Sequence, residues 1–342
     1  MITSTLVTNL ANARYSEQAL HLVRDLHIPS PLIYWSDLLI TALVAWAAFI
    51  AAVWFVAQPA LMVAAIGISL CAFYRGLCFL HEISHLRKAL LRGFEICWNV
   101  LFGMPMLLPS FMYVGVHQHH HSLSTYGTND DPEYLPFAGK PLMIAVFVAQ
   151  GLILPTLFLI RFFILAPVSL ISAPARRWVG RHASALSLNV KYCREIQDST
   201  RSLMIRWELA TITFWVAIGR FLAYEHVLAE CLLIWYAVSA GVAVLNTIRT
   251  LGAHRYASDG EPRDREAQLI DSIDTPGTFW TELWAPIGLR YHALHHYFPG
   301  IPYHNLKIAH RRLVESLPPA GAYHQTLSRS LPHSLDRLCR GK

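Results

Sequence analysis

From about Leu32 to Val56 the chain is almost wholly apolar, and similar runs recur near 60–80, 203–222 and 227–249. About 20 residues suffice for a helix to cross the hydrocarbon of a bilayer, so each run reads as a span. Trp35 and Trp54 lie near the ends of the first run, where aromatic belts sit. The turn Ala57-Gln58-Pro59-Ala60 joins the first two runs, and Tyr224-Glu225-His226 separates the last two. The expected fold is therefore an all-α polytopic membrane protein with two transmembrane hairpins. Composition agrees, since 15% of the residues are charged and 54% hydrophobic, against about 25% charged in a soluble domain.

Between the hairpins the apolar pattern is interrupted. Residues 94–115 contain Pro105, Pro109 and two glycines, which fits a segment dipping into the interface better than full spans. The stretch 141–173 is too short for two crossings and holds Pro155 and Arg161. It reads as a re-entrant or interfacial helix pair, with a single span as the competing reading. Arg176, Arg177, Arg181, Lys191 and Arg194 follow without an acid, and Arg87, Lys88 and Arg92 follow the second run. The positive-inside rule makes both clusters cytoplasmic. Residues 250–342 are polar enough for a cytosolic helical cap. The expected organisation is an N-terminal cytosolic or interfacial segment at 1–30, a membrane domain at 31–315 and a basic tail at 316–342. An amphipathic helix is expected near 8–25, and no signal-peptide pattern opens the chain. The net charge of +6 is grouped as in loops facing anionic lipid, and no nucleic-acid motif accompanies it. Six cysteines form no CxxC pair and no disulfide framework.

The chemistry lies in the histidines at the ends of these runs. In His117-Gln118-His119-His120-His121, a helix puts His117, His120 and His121 on neighbouring positions of one side. Related spacings recur as His81 and His85 in HEISH, and as His292, His295 and His296 in HALHH. Polar groups at a membrane edge are costly unless partnered, and neutral imidazole is a good ligand for iron, zinc, copper and nickel. The three boxes thus point to a metal site assembled from distant parts of the chain. His119, His182, His226, His304 and His310 read as ordinary structural histidines. HEISH also matches the HExxH zinc-protease signature, with His81 and His85 as ligands and Glu82 as base. A zinc hydrolase needs only three protein ligands and would leave the other boxes without a purpose.

The boxes HEISH, HQHHH and HALHH, in this order around two hairpins, resemble those of the membrane fatty acid desaturase family. Asp130-Asp131-Pro132-Glu133, Phe298-Pro299 and Pro302-Tyr303-His304-Asn305-Leu306 add to the resemblance, which covers about residues 35–315. The HxxxH first box is similar to acyl-lipid enzymes more than to acyl-CoA enzymes, whose first box is HxxxxH. The resemblance implies a non-haem centre of two Fe ions, with O2 as co-substrate. The metal ligands it implies are His81, His85, His117, His120, His121, His254, His292, His295 and His296. No catalytic residue beyond them and no other cofactor site is implied. In some members an asparagine four residues before the histidine matching His254 holds a metal through water. Here that position is Thr250, and the nearest asparagine is Asn246.

Two redox-active irons suit the attack on a methylene that has no acidic proton. The expected activity is desaturation of a membrane-lipid acyl chain, with lipid hydroxylation as the alternative. Glu82, Asp130 and Asp131 are candidates to orient metal-bound imidazoles. The chain lacks a cytochrome b5-like HPGG motif and an iron–sulfur cysteine cluster. The expected electron donor is therefore a separate ferredoxin or cytochrome b5-type protein. Arg176–Arg194, Arg311 and Arg312 offer it a basic surface.

Overall fold

The structure, a computed structural model, describes residues 17–86 and 89–342. Among these residues it contains helices, turns and a few isolated bridges, with no strand. Four helices, Pro31–Trp54, Pro59–His85, Leu154–Ile171 and Leu228–Leu251, are long and apolar enough to cross a membrane, so the architecture is of the all-α polytopic membrane class; the helix holding the expected span 203–222 is not among them. Helices α1 (Pro31–Trp54) and α2 (Pro59–His85) both open on proline, whose missing N–H costs nothing at a helix start. They form a tight hairpin. One face of α1 buries Tyr34, Leu38, Ala42 and Ala45, while Leu39, Ile40, Leu43 and Ile50 stay exposed on the other. Exposed apolar side chains on so hydrophobic a helix are what a lipid-facing surface requires.

The segment after the hairpin enters the bundle and leaves by the same side. Helix α3 (Phe94–Gly103) lies against α2, where the Phe102 ring occupies the space a Cβ would need at Gly76. The chain then reverses through Met104–Pro109. Three tryptophans from three helices donate to its carbonyls: Trp46 to Leu101 at 3.0 Å, Trp215 to Met104 and Trp235 to Pro105, both at 2.9 Å. Irregular backbone at membrane depth is tolerated only with such partners. The dipping segment expected over 94–115 is thus present.

Helices α4 (His117–His121), α5 (Pro141–Leu152), α6 (Leu154–Ile171) and α7 (Ala173–His182) follow. The stretch holding α5 to α7 begins with Gly139 N–H donating to Leu338 O and ends with Leu186 and Leu188 donating to Met112 and Pro132. These bonds tie both ends of the stretch to segments next to the histidine boxes, and within it α6 is itself long and apolar enough to cross a membrane. Arg161 does not interrupt it at a cost. Its guanidinium meets the buried carboxylate of Glu208, which also takes Arg176 Nη1 at 2.7 Å. Glu208 lies on α8 (Asp198–Tyr224), which pairs with α9 (Leu228–Leu251) as the second hairpin.

Residues 252–342 form the cap, built on α10 (Arg265–Asp271), α11 (His292–Tyr297), α12 (Tyr303–Ser316) and α13 (Leu331–Arg340). Of the amphipathic helix expected near 8–25, residues 8–16 lie outside the described residues, as do Arg87 and Lys88. Residues 17–23 are helical, and Ala19, Val23 and Leu26 pack with Leu306, Ala309 and Leu313 of the cap. The segment 316–342, expected as a basic tail, folds back onto the cap. Leu338 joins the core of Tyr126, Tyr134 and Tyr256, and Tyr323 donates to Asp274 at 2.9 Å.

Candidate metal centre

Box one occupies the last turn of α2, so His81 and His85 project one turn apart on the same side. Box two is the whole of α4. The chain turns into it through Gly115, at φ 88°, a conformation that strains an L side chain. Arg194 clamps that turn by donating to Phe111, Ser184 and Val114 carbonyls at 2.6, 2.9 and 3.0 Å. Box three opens α11, and Asp274 accepts from Leu294 N–H at 3.1 Å there. His254 lies three residues beyond α9, in an isolated bridge with Ser272.

The nine histidines singled out in the sequence converge as two groups. His81, His85, His117, His121 and His295 form one, and His120, His254, His292 and His296 the other. Within each group the ligand nitrogens lie within 4.8 Å of one another. No box serves one group alone beyond the first, since boxes two and three each divide between both. The rings of His121 and His296 stack across the divide with centroids 4.2 Å apart. His119, His182, His226, His304 and His310 fall in neither group. His119 is exposed and faces Tyr192, and His304 Nε2 accepts from Ser30 N–H at 3.1 Å.

The donor set fits metal ions. Nε2 atoms face one another at 2.8 Å between His254 and His292, 2.9 Å between His117 and His121, and 3.1 Å between His85 and His295. Both ring nitrogens of His81, and Nδ1 of His292, His295 and His296, are buried without a hydrogen-bond partner. Buried polar atoms are otherwise nearly always paired. Burial, reinforced by neighbouring imidazoles, holds His117, His121, His292 and His296 well below the usual imidazole range. Each therefore presents a neutral lone pair, the form that binds a cation.

Carboxylates orient the rings from behind. His117 Nδ1–H donates to Glu133 Oε1 at 2.7 Å, and Tyr113 donates to Glu133 Oε2 at 3.2 Å. His120 Nδ1–H donates to the fully buried Asp131 at 2.9 Å. His254 Nδ1–H reaches Tyr126 Oη at 2.9 Å, and Tyr126 passes the bond to Asp271 at 2.8 Å. Each partner fixes the tautomer that leaves Nε2 free. Of the three acids proposed from sequence, only Asp131 does this. Asp130 is exposed, and Glu82 turns away to accept from Tyr34 Oη and from Tyr303 N–H at 3.2 Å. Glu133, Asp271 and Tyr126 were not assigned this task from sequence. Glu133 stands in the quoted DDPE motif, whereas Asp271 carries no local signal.

The position of Glu82 weighs against the protease reading, which needs that carboxylate on a metal-bound water. Glu82→Gln keeps an acceptor for both donors, and the variant is expected to retain its metal content and activity within about threefold. A loss of activity with metal retained, measured by elemental analysis beside turnover, together with full activity when box two or box three is mutated, would restore the protease reading.

A cavity of about 190 Å³ opens against the centre. His81, Tyr113 and Glu133 line its metal end, and Met106, Phe158 and Val242 line its depth. Together these features define a membrane-class helical protein with a nine-histidine centre beside an apolar slot. The fatty acid desaturase family profile matches residues 57–328, and the chain belongs to that family. It is a family of non-haem di-iron oxidoreductases that act on lipids with separate electron donors. The chain is 39% identical over 330 residues to a ceramide hydroxylase of Caulobacter vibrioides, covering 95% of this chain and 93% of that one.

Proposed function

We propose that this chain is a lipid hydroxylase acting on a ceramide-type substrate, with O2 and electrons from a separate donor. The observation that carries lipid oxidation is the apolar cavity ending at His81 inside the nine-histidine cluster. The sequence alone favoured desaturation with hydroxylation beside it. The preference for hydroxylation rests on the relative's activity. Two Fe ions held by the nine histidines would supply reduction of O2 and hydrogen abstraction from an unactivated C–H bond. The overall change is R–H + O2 + 2 e⁻ + 2 H⁺ → R–OH + H2O.

The protein's part is to hold and to exclude. Asp131, Glu133 and Tyr126 keep the imidazole protons on Nδ1, so the nitrogen lone pairs stay aimed at the centre. The walls of Leu108, Phe158 and Val242 seat an acyl or sphingoid chain and keep water from the reacting carbon. The protein crosses the bilayer several times with its histidines on the cytoplasmic side. Exposed Arg177, Arg181 and Lys191 support that orientation and a donor with an acidic face, a ferredoxin or cytochrome b5-type protein. Arg194 and Arg312 leave that surface, because Arg194 clamps the box-two turn and Arg312 pairs with Asp25 at 2.6 Å.

Lipid mass spectrometry on host membranes that contain ceramide and express the chain tests this. The expected product carries one additional oxygen. Loss of two hydrogens instead would return the assignment to desaturation. An unchanged lipid profile, with iron and a competent donor present, would overturn lipid oxidation.

A further inference from the structure

The cavity is not uniformly apolar, and the place where it changes is informative. Along α9 its lining runs from Ser239, Val242 and Ala243 to Asn246, Arg249 and Thr250. At 1.5 Å rise per residue the polar side chains occupy the last two turns before His254. The charged lining, Glu133 and Arg249, is thus on the metal side with Asn246 and Thr250, although Leu80 and Leu289 also line that end and Ser239 the other. A slot for oxidising the middle of a chain would be apolar on both sides of the reacting carbon.

Arg249 is the unusual member. It is a charged side chain in a helix apolar enough to cross a membrane, and among the described residues no carboxylate forms a close ion pair with it, Glu133 acting on it only through space. Its Nη2 donates to Asn246 Oδ1 at 3.0 Å and its guanidinium also meets the Tyr74 hydroxyl, while Nε is buried with no acceptor. Ionisable groups at such positions mark a function by default. Glu133, on the same cavity, is already engaged by His117 and Tyr113. A cation and a carboxylate lining one small space oppose each other towards an anionic head group. A neutral linkage with both acceptor and donor atoms suits them both.

We propose that Arg249 is a specificity residue: it donates to the amide carbonyl or hydroxyl oxygen of the lipid and so places a carbon within a few bonds of the polar linkage at the metal centre. The proposal rests on the reading of this chain as a lipid oxygenase. Asn246 holds the guanidinium in place, and the hydrocarbon tail extends past Val242 and Phe158 into the apolar depth. Gln150, which lines the same cavity, is exposed.

The test begins with the wild-type protein and a defined ceramide. Fragmentation of the product locates the new oxygen, and a position beside the amide or sphingoid hydroxyls is expected. Oxygen placed mid-chain would overturn the proposal. Binding of a fluorescent ceramide to iron-loaded protein without O2 is then compared among wild type, Arg249→Met and Arg249→Lys. Affinity is expected to fall about tenfold or more for Met and by less for Lys, with iron content and melting temperature unchanged. Binding of the Met variant within about twofold of wild type would overturn the proposal. If Arg249→Met loses iron or fails to fold, the Lys variant and the wild-type product position still decide. Failure of the underlying reading shows separately, as wild-type protein that neither binds nor oxidises ceramide.

Discussion

With His120 and His121 both changed to alanine, the purified protein is expected to retain less than about a tenth of the wild-type iron. The expectation follows from how box two divides. His121 belongs with His81, His85, His117 and His295, and His120 with His254, His292 and His296. One double substitution thus removes a donor from each group. It also takes from the fully buried Asp131 its imidazole donor, leaving it only two backbone N–H groups. A buried carboxylate that loses one of its three donors is less well compensated, so a lower melting temperature should accompany the iron loss. His119→Ala is the control, because it makes the same chemical change one position away on an exposed side chain. Iron per protein by elemental analysis decides the matter. Retention of both irons in the double variant would remove box two from the centre.

Asp131→Ala is expected to weaken metal binding about 10- to 100-fold without touching a ligand. Asp131 does three things at once. It accepts from His120 Nδ1–H, from Gly127 N–H at 2.8 Å and from Glu133 N–H at 2.9 Å. The last two bonds shape the turn that presents Glu133 to His117, so both metal groups feel the change. Asp131→Asn keeps the volume and one acceptor oxygen but places an amide N–H where a second acceptor stood. Its loss should fall between wild type and alanine. Competition with a chelator, read as the concentration that strips half the iron, orders the three proteins. Equal resistance of all three would mean that Asp131 serves only the turn.

The candidate ligands were legible because each box is local, with spacings of three and four residues that a helix turns into a shared face. His254 stands outside any box and came only with the family resemblance. The supporting network was less legible because it is built by approach between distant segments. Asp271 reaches His254 through Tyr126, which lies 145 positions away from it in sequence. Nothing around Asp271 announces that. Glu82 illustrates the opposite failure, since a carboxylate inside a histidine box invites a role that α2 directs elsewhere, towards Tyr34 and Tyr303. The prolines and glycines of 94–115 signalled a break in the span. The indole donors that make the break tolerable come from Trp46, Trp215 and Trp235, on helices far apart in the chain. Likewise Arg161 read as an interruption until its partner Glu208 was in view.

Helix α11 is six residues long and serves both groups, with His295 turned to one and His292 and His296 to the other. Mechanically it is a rocker. A twist about its own axis that draws His295 inward swings the other two outward, so neither metal environment is adjustable without a compensating change in its neighbour. Its tilt is pinned by Asp274 at its start, and Asp274 is itself held by Tyr323 from the C-terminal segment. A segment some thirty residues downstream of the third box therefore steadies the helix that both halves of the centre share.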